Sequence, residues 1–240
     1  MKSTPALGKL YLIPTTMGDC DPMDVLPQTI KRSIDCIDYY IVENEKTARK
    51  SIKAVNPTKK QSELILFTLN KHTETKEHLD FIKPLLEGKN MGLMSEAGCP
   101  GVADPGAVIV KLAHDKGIQV VPLVGPSSIL LAMMASGMNG QSFTFNGYLP
   151  IDKGEKKTAL KNLEKLSQDK NQSQIFIETP YRNNKMLEDI LQALNPATYL
   201  CVATDITLPT EYIKTMKASD WKKVTVDLHN RPTIFILHKM

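Results

Sequence analysis

The segment SEAGCPGVADPG, residues 95–106, holds three glycines and two prolines directly after a short apolar run. Glycine lacks Cβ and tolerates positive φ, so such a loop can bring its backbone close to a ligand. It is not a Walker A loop, since no Gly-Lys-Ser/Thr follows, nor a Gly-x-Gly-x-x-Gly fingerprint, since Gly98 and Gly101 are three positions apart. The residues alone leave a small-molecule site and an ordinary tight turn open.

Strands and helices alternate on both sides of this loop. Short apolar runs predict strands at residues 9–14, 38–43, 64–69, 91–95 and 119–124, with helices at residues 24–33, 46–54 and 74–87. A further helix is predicted with Pro105 in its first turn and Gly117 after its end. This order is typical of a parallel sheet covered on both faces, in which ligands bind beyond the carboxyl ends of the strands. We therefore predict an open α/β domain over residues 1–122.

After residue 122 the pattern becomes richer in strands. Residues 127–136 are apolar on all sides, which predicts a buried helix capped by Ser127. Further strands are predicted at residues 143–150, 174–180, 199–203, 224–228 and 233–238, and helices at residues 156–168 and 184–194. We predict an α+β domain over residues 123–240, packed on the first domain without a long linker.

A second segment, PLVGPSS at residues 122–128, joins the end of a predicted strand to the N-terminus of a predicted helix. The free N–H groups and the two serine hydroxyls there suit an anion, such as the carboxylate of an amino-acid-like cofactor or a phosphate. A purely structural role, in which Ser127 only caps its helix, remains open.

Composition excludes several classes of protein. The cysteines form no Cys-x-x-Cys pair and the histidines show no ligand spacing, so we predict neither a zinc site nor any other metal. No window approaches the ~18 to 20 apolar residues of a membrane helix, and residues 1–10 lack a signal-peptide core, so we expect a cytoplasmic protein. The net charge of +4 is too small to indicate nucleic acid. However, residues 46–60 contain six basic and no acidic residues, which leaves RNA contact and a solvated helix face open.

Taken in order, these segments resemble the tetrapyrrole-methylase family, the class III S-adenosylmethionine (SAM)-dependent methyltransferases. The matching motifs lie at residues 14–19, 95–106, 124–127, 145–150, 178–182 and 205–208. The chain is most similar to the bacterial branch that methylates a ribose 2′-hydroxyl of a cytidine in small-subunit ribosomal RNA. It differs from that branch at residues 43–46 and at Glu96 and Cys99, where the branch usually has Asp and Thr.

The resemblance implies a two-domain methyltransferase with a mainly parallel-sheet N-terminal domain, an α+β C-terminal domain and SAM in the cleft between them. It implies a homodimer and a ribosomal RNA substrate. The implied cofactor-binding residues are Pro14 (on the acceptor side), Ser95, Ala97, Gly98, Gly101, Val124, Ser127, Ser128, Leu149, Pro180, Ile206 and Thr207. Arg49 and Lys50 are candidates for RNA contacts.

A ribose hydroxyl attacks a methyl group only as its proton is removed, so a general base is expected within hydrogen-bonding reach. Glu96 is favoured as this catalytic residue because it follows the strand beside the implied cofactor loop. Glu43, Asp19 and Glu178 are the alternatives.

Three other functions remain open at this stage. The substrate could be a tetrapyrrole of the precorrin type, although the first-strand turn lacks the Gly-x-Gly-Pro-Gly usual in such enzymes. The altered residues 44–46 also suit a SAM-binding relative without RNA methylation activity. A nicotinamide oxidoreductase is disfavoured because the glycine fingerprint and its following acidic residue are missing.

Overall fold

The computed structural model describes residues 6–69, 73 and 75–239, and the chain divides into two compact units, Met1–Ser127 and Ser128–Met240. Glu74, at the start of one predicted helix, lies outside the described residues. Within the described ranges, no helix combines the length and the apolar character needed to cross a membrane.

The first unit is built on a five-stranded parallel sheet. Its strands are β1 (Lys9–Leu12), β2 (Tyr39–Val42), β3 (Ile65–Thr68), β4 (Met91–Met94) and β5 (Gln119–Pro122), in the order β3-β2-β4-β1-β5. Every pairing in this sheet is parallel. The α/β prediction for this half of the chain, including all five strands, is confirmed.

The described part of this unit contains the α-helices α1 (Pro22–Val25), α2 (Gln28–Cys36), α3 (Glu45–Val55), α4 (Thr75–Phe81), α5 (Lys83–Leu86) and α6 (Ala107–Asp115). Apolar residues of α2 and α3 form one buried cluster with the sheet, and those of α4, α5 and α6 form another. Neighbouring residues Ile41 and Val42 of β2 enter different clusters, as expected when successive side chains point to opposite faces. The sheet is therefore covered on both sides.

Three helix predictions near prolines are wrong in their boundaries. The helix predicted at residues 24–33 is two helices, because Pro27 forces Leu26 into an extended conformation (φ −107°, ψ 130°). The helix predicted at residues 74–87 is interrupted at Ile82, and Pro84 near the start of α5 has no N–H to continue the earlier ladder. Pro105 lies before α6 and not in its first turn, since α6 begins at Ala107 with Gly106 as its N-cap.

The second unit contains a mixed sheet in the order β6-β7-β10-β8-β9. Its strands are β6 (Phe143–Tyr148), β7 (Ser173–Ile177), β8 (Tyr199–Thr204), β9 (Tyr212–Lys217) and β10 (Thr233–His238), and its helices are α7 (Ser128–Ser136), α8 (Lys153–Lys170), α9 (Asn183–Ala193) and α10 (Ala218–Trp221). β6 pairs with β7 in parallel, whereas the other three pairings are antiparallel. The predicted α+β character of this half is confirmed.

Two predictions in this half are wrong. Residues 224–228 form no strand, because side chains hold this segment: the Leu228 N–H donates to Asn184 Oδ1 at 2.7 Å. The helix α7 is only partly buried, since Leu130 is 53% exposed and Met134 is 78% exposed. The edge strand β9 was not predicted, because its half-buried and exposed residues do not alternate with a period of two.

Candidate functional site

The strand order places one crevice at the carboxyl ends of β1 and β4. These strands are neighbours in the sheet, and their chains leave it on opposite faces, β1 toward α1 and α2 and β4 toward α6. Such a switch point is the usual ligand-binding position in open parallel sheets. The segment at residues 95–106 and the first-strand turn both lie there.

The loop after β1 and the loop after β4 are joined by hydrogen bonds. The Thr15 N–H donates to the Gly98 carbonyl oxygen at 3.0 Å, which forms an isolated antiparallel bridge. Ser95 Oγ lies 3.2 Å from the Ala97 carbonyl oxygen and 3.4 Å from that of Gly98, so its hydroxyl holds the same turn from inside. The two loops therefore form one structure.

The loop after β5 packs on the same turn. A Cβ on Gly125 would lie 2.2 Å from Cβ of Pro14, so only glycine permits this approach. The Cys99 thiol donates to the Pro126 carbonyl oxygen at 3.3 Å, and burial raises its pKa. Val124, in the same loop, is 76% exposed, and Ser127 directly precedes the first residue of α7.

Asp104 fixes the shape of the loop at residues 95–106. Its carboxylate accepts from the Gly101 N–H at 2.8 Å and the Gly106 N–H at 2.7 Å. Burial raises the pKa of Asp104, and the two N–H groups oppose this shift. Gly98 and Gly101 have φ of +71° and +83°, and Ala103 is held at +59°. A non-glycine residue in this conformation is strained, and such strain concentrates at functional sites.

Glu96 is exposed and is held at its backbone by a second carboxylate. The Glu96 N–H donates to Glu43 Oε1 at 3.1 Å, and Thr47 Oγ1 lies 3.4 Å from Glu96 Oε1. Burial raises the pKa of Glu43, the Glu96 N–H lowers it, and the negative charges of Asp104 and Glu96 raise it further. Of the two side chains, that of Glu96 is exposed to solvent, whereas that of Glu43 is half-buried and holds the Glu96 backbone.

A cavity of about 260 Å³ opens beside Glu96, wholly within the first unit. Its lining comes from the loop after β1 and from the facing sides of α2 and α3. Among the described residues it includes Lys50 and Asp19 but not Arg49, whose Nη1 donates to the Gln61 carbonyl oxygen at 2.6 Å. The structure therefore brings one of the two candidate RNA-contacting residues to the crevice and turns the other away from it.

The candidate residues of the second unit share one edge of its sheet. The strands β6, β7 and β8 run in the same direction, because β6 is parallel to β7, and both β7 and β8 are antiparallel to β10. Leu149, Pro180, Ile206 and Thr207 all follow the carboxyl ends of these strands. Two hydrogen bonds through the turn before β10, Asn230 N–H to Pro180 O and Asp205 N–H to Pro232 O, connect their loops.

Thr207 is strained and has an unpaired hydroxyl. Its φ is +73°, a conformation that a β-branched residue rarely adopts. Its Oγ1 is buried, and no hydrogen-bond partner is found for it among the described residues. A buried polar atom without a partner costs about 1–3 kcal/mol, which makes this hydroxyl a candidate for contact with a ligand.

Glu178 is a poor candidate for a general base. Burial acts to raise its pKa, but hydrogen bonds from Arg182 and the Thr179 N–H outweigh burial and lower the pKa below its ordinary value. Arg182 Nη2 lies 2.6 Å from Glu178 Oε1. The carboxylate is therefore already engaged by a cation. Asp19 is fully exposed and lies 3.5 Å from Lys50 Nζ.

Sequence analysis missed two parts of this site. The anchoring role of Asp104 has a local signal, since an Asp two residues before a Gly commonly accepts from that N–H. The cavity wall has a weaker sequence signal. Leu26, Ile30 and Ile34 repeat every four residues, a pattern that predicts only a core-facing helix face. Among the described residues, no group of three or more His, Cys, Asp or Glu side chains is arranged to hold a metal ion.

The chain is similar in sequence to a known protein family. The family model described as Tetrapyrrole (Corrin/Porphyrin) Methylases matches residues 9–221. The chain is 29% identical over 240 residues to Ribosomal RNA small subunit methyltransferase I of Buchnera aphidicola subsp. Schizaphis graminum, covering 99% of this chain and 80% of that protein. It is 30% identical over 211 residues to the protein of that name from Vibrio cholerae, covering 88% and 69%.

A solved structure shows the same fold. This is uroporphyrin-III C-methyltransferase from Thermus thermophilus, complexed with S-adenyl homocysteine. The TM-score is 0.56 at 16% identity, and the match covers 97% of this chain and 98% of the other.

Proposed function

We propose, because this chain belongs to the tetrapyrrole methylase family, that it is a SAM-dependent methyltransferase acting on a ribose 2′-hydroxyl of small-subunit ribosomal RNA. The family resemblance predicted from the motifs is confirmed. The observation that carries the proposal is the crevice between β1 and β4, where joined glycine-rich loops present the exposed carboxylate of Glu96.

The residues present suit SAM. When bound, SAM supplies an electrophilic methyl group. In the first unit, the positive φ angles of Gly98 and Gly101 turn the backbone of the loop after β4, and Ser95, Ala97, Val124 and Ser127 lie in the loops beside it. In the second unit, Ser128 begins α7, the Thr207 hydroxyl has no partner among the described residues, and the apolar side chains of Leu149, Pro180 and Ile206 follow the strand ends. Within each unit, such polar and apolar groups suit parts of a ligand that has an amino-acid and a nucleoside portion.

Glu96 acts as the general base in this proposal. A ribose hydroxyl is a weak nucleophile until its proton is being transferred, and a carboxylate within hydrogen-bonding reach can accept that proton. Glu43 fixes the backbone of Glu96 through its N–H, and Thr47 lies beside its carboxylate. The protein's remaining task is alignment of the acceptor oxygen, which the joined loops support.

Ribosomal RNA is favoured over a tetrapyrrole as the acceptor. The two relatives described above carry the name of a ribosomal RNA methyltransferase. The cavity beside Glu96 has a volume of about 260 Å³, which is below the ~300–1,000 Å³ of pockets for drug-sized molecules. A tetrapyrrole is larger than a drug-sized molecule and would need a larger pocket. The basic helix α3 also borders this cavity, as expected for a surface that meets phosphates.

The altered residues 44–46 do not argue for an inactive relative. Asn44 is the N-cap of α3, and its Oδ1 accepts from the Lys46 N–H at 2.9 Å and the Thr47 N–H at 3.2 Å. Asn is among the strongest N-cap residues. The change therefore supports the helix that carries Thr47 and Lys50.

We further propose a cytoplasmic homodimer. A ribosomal RNA substrate is reached in the cytoplasm. The exposed apolar side chains of Leu130 and Met134, one turn apart on α7, support self-association, because a second copy would remove them from water.

The experiment that tests the proposed function supplies radiolabelled SAM with three acceptors: naked small-subunit ribosomal RNA, small ribosomal subunits and uroporphyrinogen. Label in RNA as an alkali-resistant 2′-O-methylated dinucleotide is the expected result. Label in the tetrapyrrole, or SAM binding without transfer to any acceptor, would overturn the assignment.

A further inference from the structure

The cavity beside Glu96 has an apolar floor. Leu26, Ile30, Ile34, Val55 and Met94 form this floor, and all five are buried. A floor of aliphatic side chains offers no fixed hydrogen-bonding pattern, but it suits the flat face of an aromatic ring.

The wall and mouth of the cavity are polar. Helix α3 presents Thr47 and Ser51, four residues apart and so on the same face, along one side. Glu96 stands at the opening, with Thr47 Oγ1 3.4 Å from its carboxylate. The cavity therefore combines an apolar interior with hydroxyl groups near its rim.

Lys50 and Asp19 form an ion pair that also borders the cavity. Their Nζ and Oδ1 atoms are 3.5 Å apart, and the side chains are 79% and 96% exposed. Such exposed pairs contribute about 0–1 kcal/mol, so the pair opens readily. Once released, Lys50 presents a cation beside the cavity that it lines.

We infer that this cavity receives the nucleobase of the methylated nucleotide, turned out of the RNA stack, while Lys50 leaves Asp19 for a neighbouring phosphate. The inference rests on the proposed function and deepens it. Enzymes that act on one nucleotide commonly extrude it into a closely fitting pocket lined by apolar side chains. A base seated on the floor would leave its ribose at the rim, where Glu96 lies.

The cavity meets the loops assigned to SAM at Pro14 and Ala97 and otherwise extends away from them. Apart from these two residues and Glu96, its lining comes from the loop after β1, from α1, α2 and α3, and from Met94. Of the described residues that line it, none is Gly98, Gly101, Val124 or Ser127. The inference therefore requires that filling the cavity should impair the RNA reaction and spare SAM binding.

The test uses Ser51→Phe, which places a ring in the cavity, and Ser62→Phe, which makes the same substitution at an exposed position outside the lining. We expect Ser51→Phe to lower kcat/KM for ribosomal RNA about 100-fold, because a base kept out of the cavity misplaces its ribose by an ångström or more. The calorimetric Kd for SAM should stay within about twofold, the scale of a surface change. Ser62→Phe should match the wild type in both measurements.

An abasic substrate identifies the group that fills the cavity. Once the methylated nucleotide is mapped, an RNA fragment lacking only that base is compared with the intact fragment. The wild type should methylate the abasic fragment more slowly, and Ser51→Phe should cause no further loss on it, since coupled changes are not additive. A Ser51→Phe loss of equal size on both fragments would show that the ring disturbs something other than base binding and would overturn the inference.

Lys50→Ala tests the phosphate contact without filling the cavity, and Lys116→Ala, which removes an exposed lysine far along the chain from α3, is its control. We expect Lys50→Ala to weaken RNA binding and to reduce the salt dependence of log K by about one phosphate contact. An unchanged salt dependence would contradict this part of the inference.

The outcomes separate the two proposals. If the wild type transfers no methyl group to RNA, the proposed function fails and the base site with it. If the wild type methylates RNA and Ser51→Phe does so equally well, only the base site is wrong. If Ser51→Phe abolishes SAM binding in a folded protein, the cavity belongs to the cofactor and the inference is overturned.

Discussion

The Thr15 N–H donates to the carbonyl oxygen of Gly98 at 3.0 Å, and this bond joins the loop after β1 to the loop after β4. The two strands are neighbours in the sheet, but their carboxyl ends are 82 residues apart in the sequence. The bond thus closes the crevice between two neighbouring strands whose connections leave the sheet on opposite faces. The positions of Pro14 and Glu96 both depend on it.

The contact between Gly125 and Pro14 predicts a cost for any added side chain. Gly125→Ala would place Cβ 2.2 Å from Cβ of Pro14, so the backbone must shift. Such overpacking should lower the free energy of unfolding by about 1–3 kcal/mol and weaken SAM binding. Gly140→Ala is the matched control, because a Cβ there meets no atom within 4 Å. Equal denaturation curves for the two variants would contradict this packing.

The carboxylate of Glu43 predicts a pH-dependent stability. Burial raises its pKa above the ordinary value in the folded chain. Its contribution to stability is therefore fully present below the pKa of the unfolded chain and is lost as the pH rises through the folded pKa. Glu43→Gln, whose amide oxygen can still accept from the Glu96 N–H, should remove this loss.

The free energy of unfolding, measured by denaturant titration at pH 4 and pH 8, checks this prediction. Relative to the wild type, Glu43→Gln should be more stable at the higher pH, and the difference should shrink at the lower pH. A difference that grows on acidification would show that ionised Glu43 stabilises the fold instead.

The unpaired hydroxyl of Thr207 predicts opposite effects on stability and on binding. Thr207→Val keeps the shape and removes a buried oxygen without a partner, so the ligand-free protein should gain roughly 1 kcal/mol of stability. The same change should weaken SAM binding by roughly 3- to 12-fold, the value of one hydrogen bond. Thr207→Ser, which keeps the hydroxyl, is the control for calorimetry. Unchanged SAM affinity in Thr207→Val would remove this residue from the site.

The exposed apolar residues of α7 predict self-association. Met134→Glu places a charge where a second copy would pack, and should convert a dimer into a monomer in sedimentation velocity runs. Lys157→Glu, on the exposed face of α8, should leave the dimer intact. A monomeric wild type, or a Met134→Glu variant that remains dimeric, would contradict the proposed interface.

Much of the fold could be predicted from local patterns. The five strands of the first unit are short apolar runs closed by turn residues. Each run can be identified as a strand without knowing which strand pairs with it. Where the prediction failed, a non-local or stereochemical effect decided the outcome. Pro27 divides a helix whose apolar spacing is otherwise continuous, and Asn184 holds residues 224–228 by side-chain bonds from another segment. The exposure of Met134 depends on what covers α7, which its own residues do not reveal.

The candidate site was less predictable than the fold. Motif resemblance led to the loops around Gly98 and Gly125, because glycine requirements leave a mark in the sequence. It could not distinguish Lys50 from its neighbour Arg49, since only the packing of Gln61 against α3 shows which one faces the cavity. It favoured Glu96 over Glu43 by position after a strand, but it could not show that Glu43 holds the Glu96 backbone, because that hydrogen bond joins residues 53 positions apart.

The most direct test of the account is single-turnover methyl transfer to small-subunit ribosomal RNA by the wild type, by Glu96→Gln and by Glu87→Gln, an exposed Glu in the same unit. The account predicts 2′-O-methylation by the wild type, a rate about 10²- to 10⁴-fold lower for Glu96→Gln with SAM affinity retained, and an unaffected Glu87→Gln. A wild type that leaves the RNA unmethylated, or a Glu96→Gln variant as fast as the wild type, would contradict it.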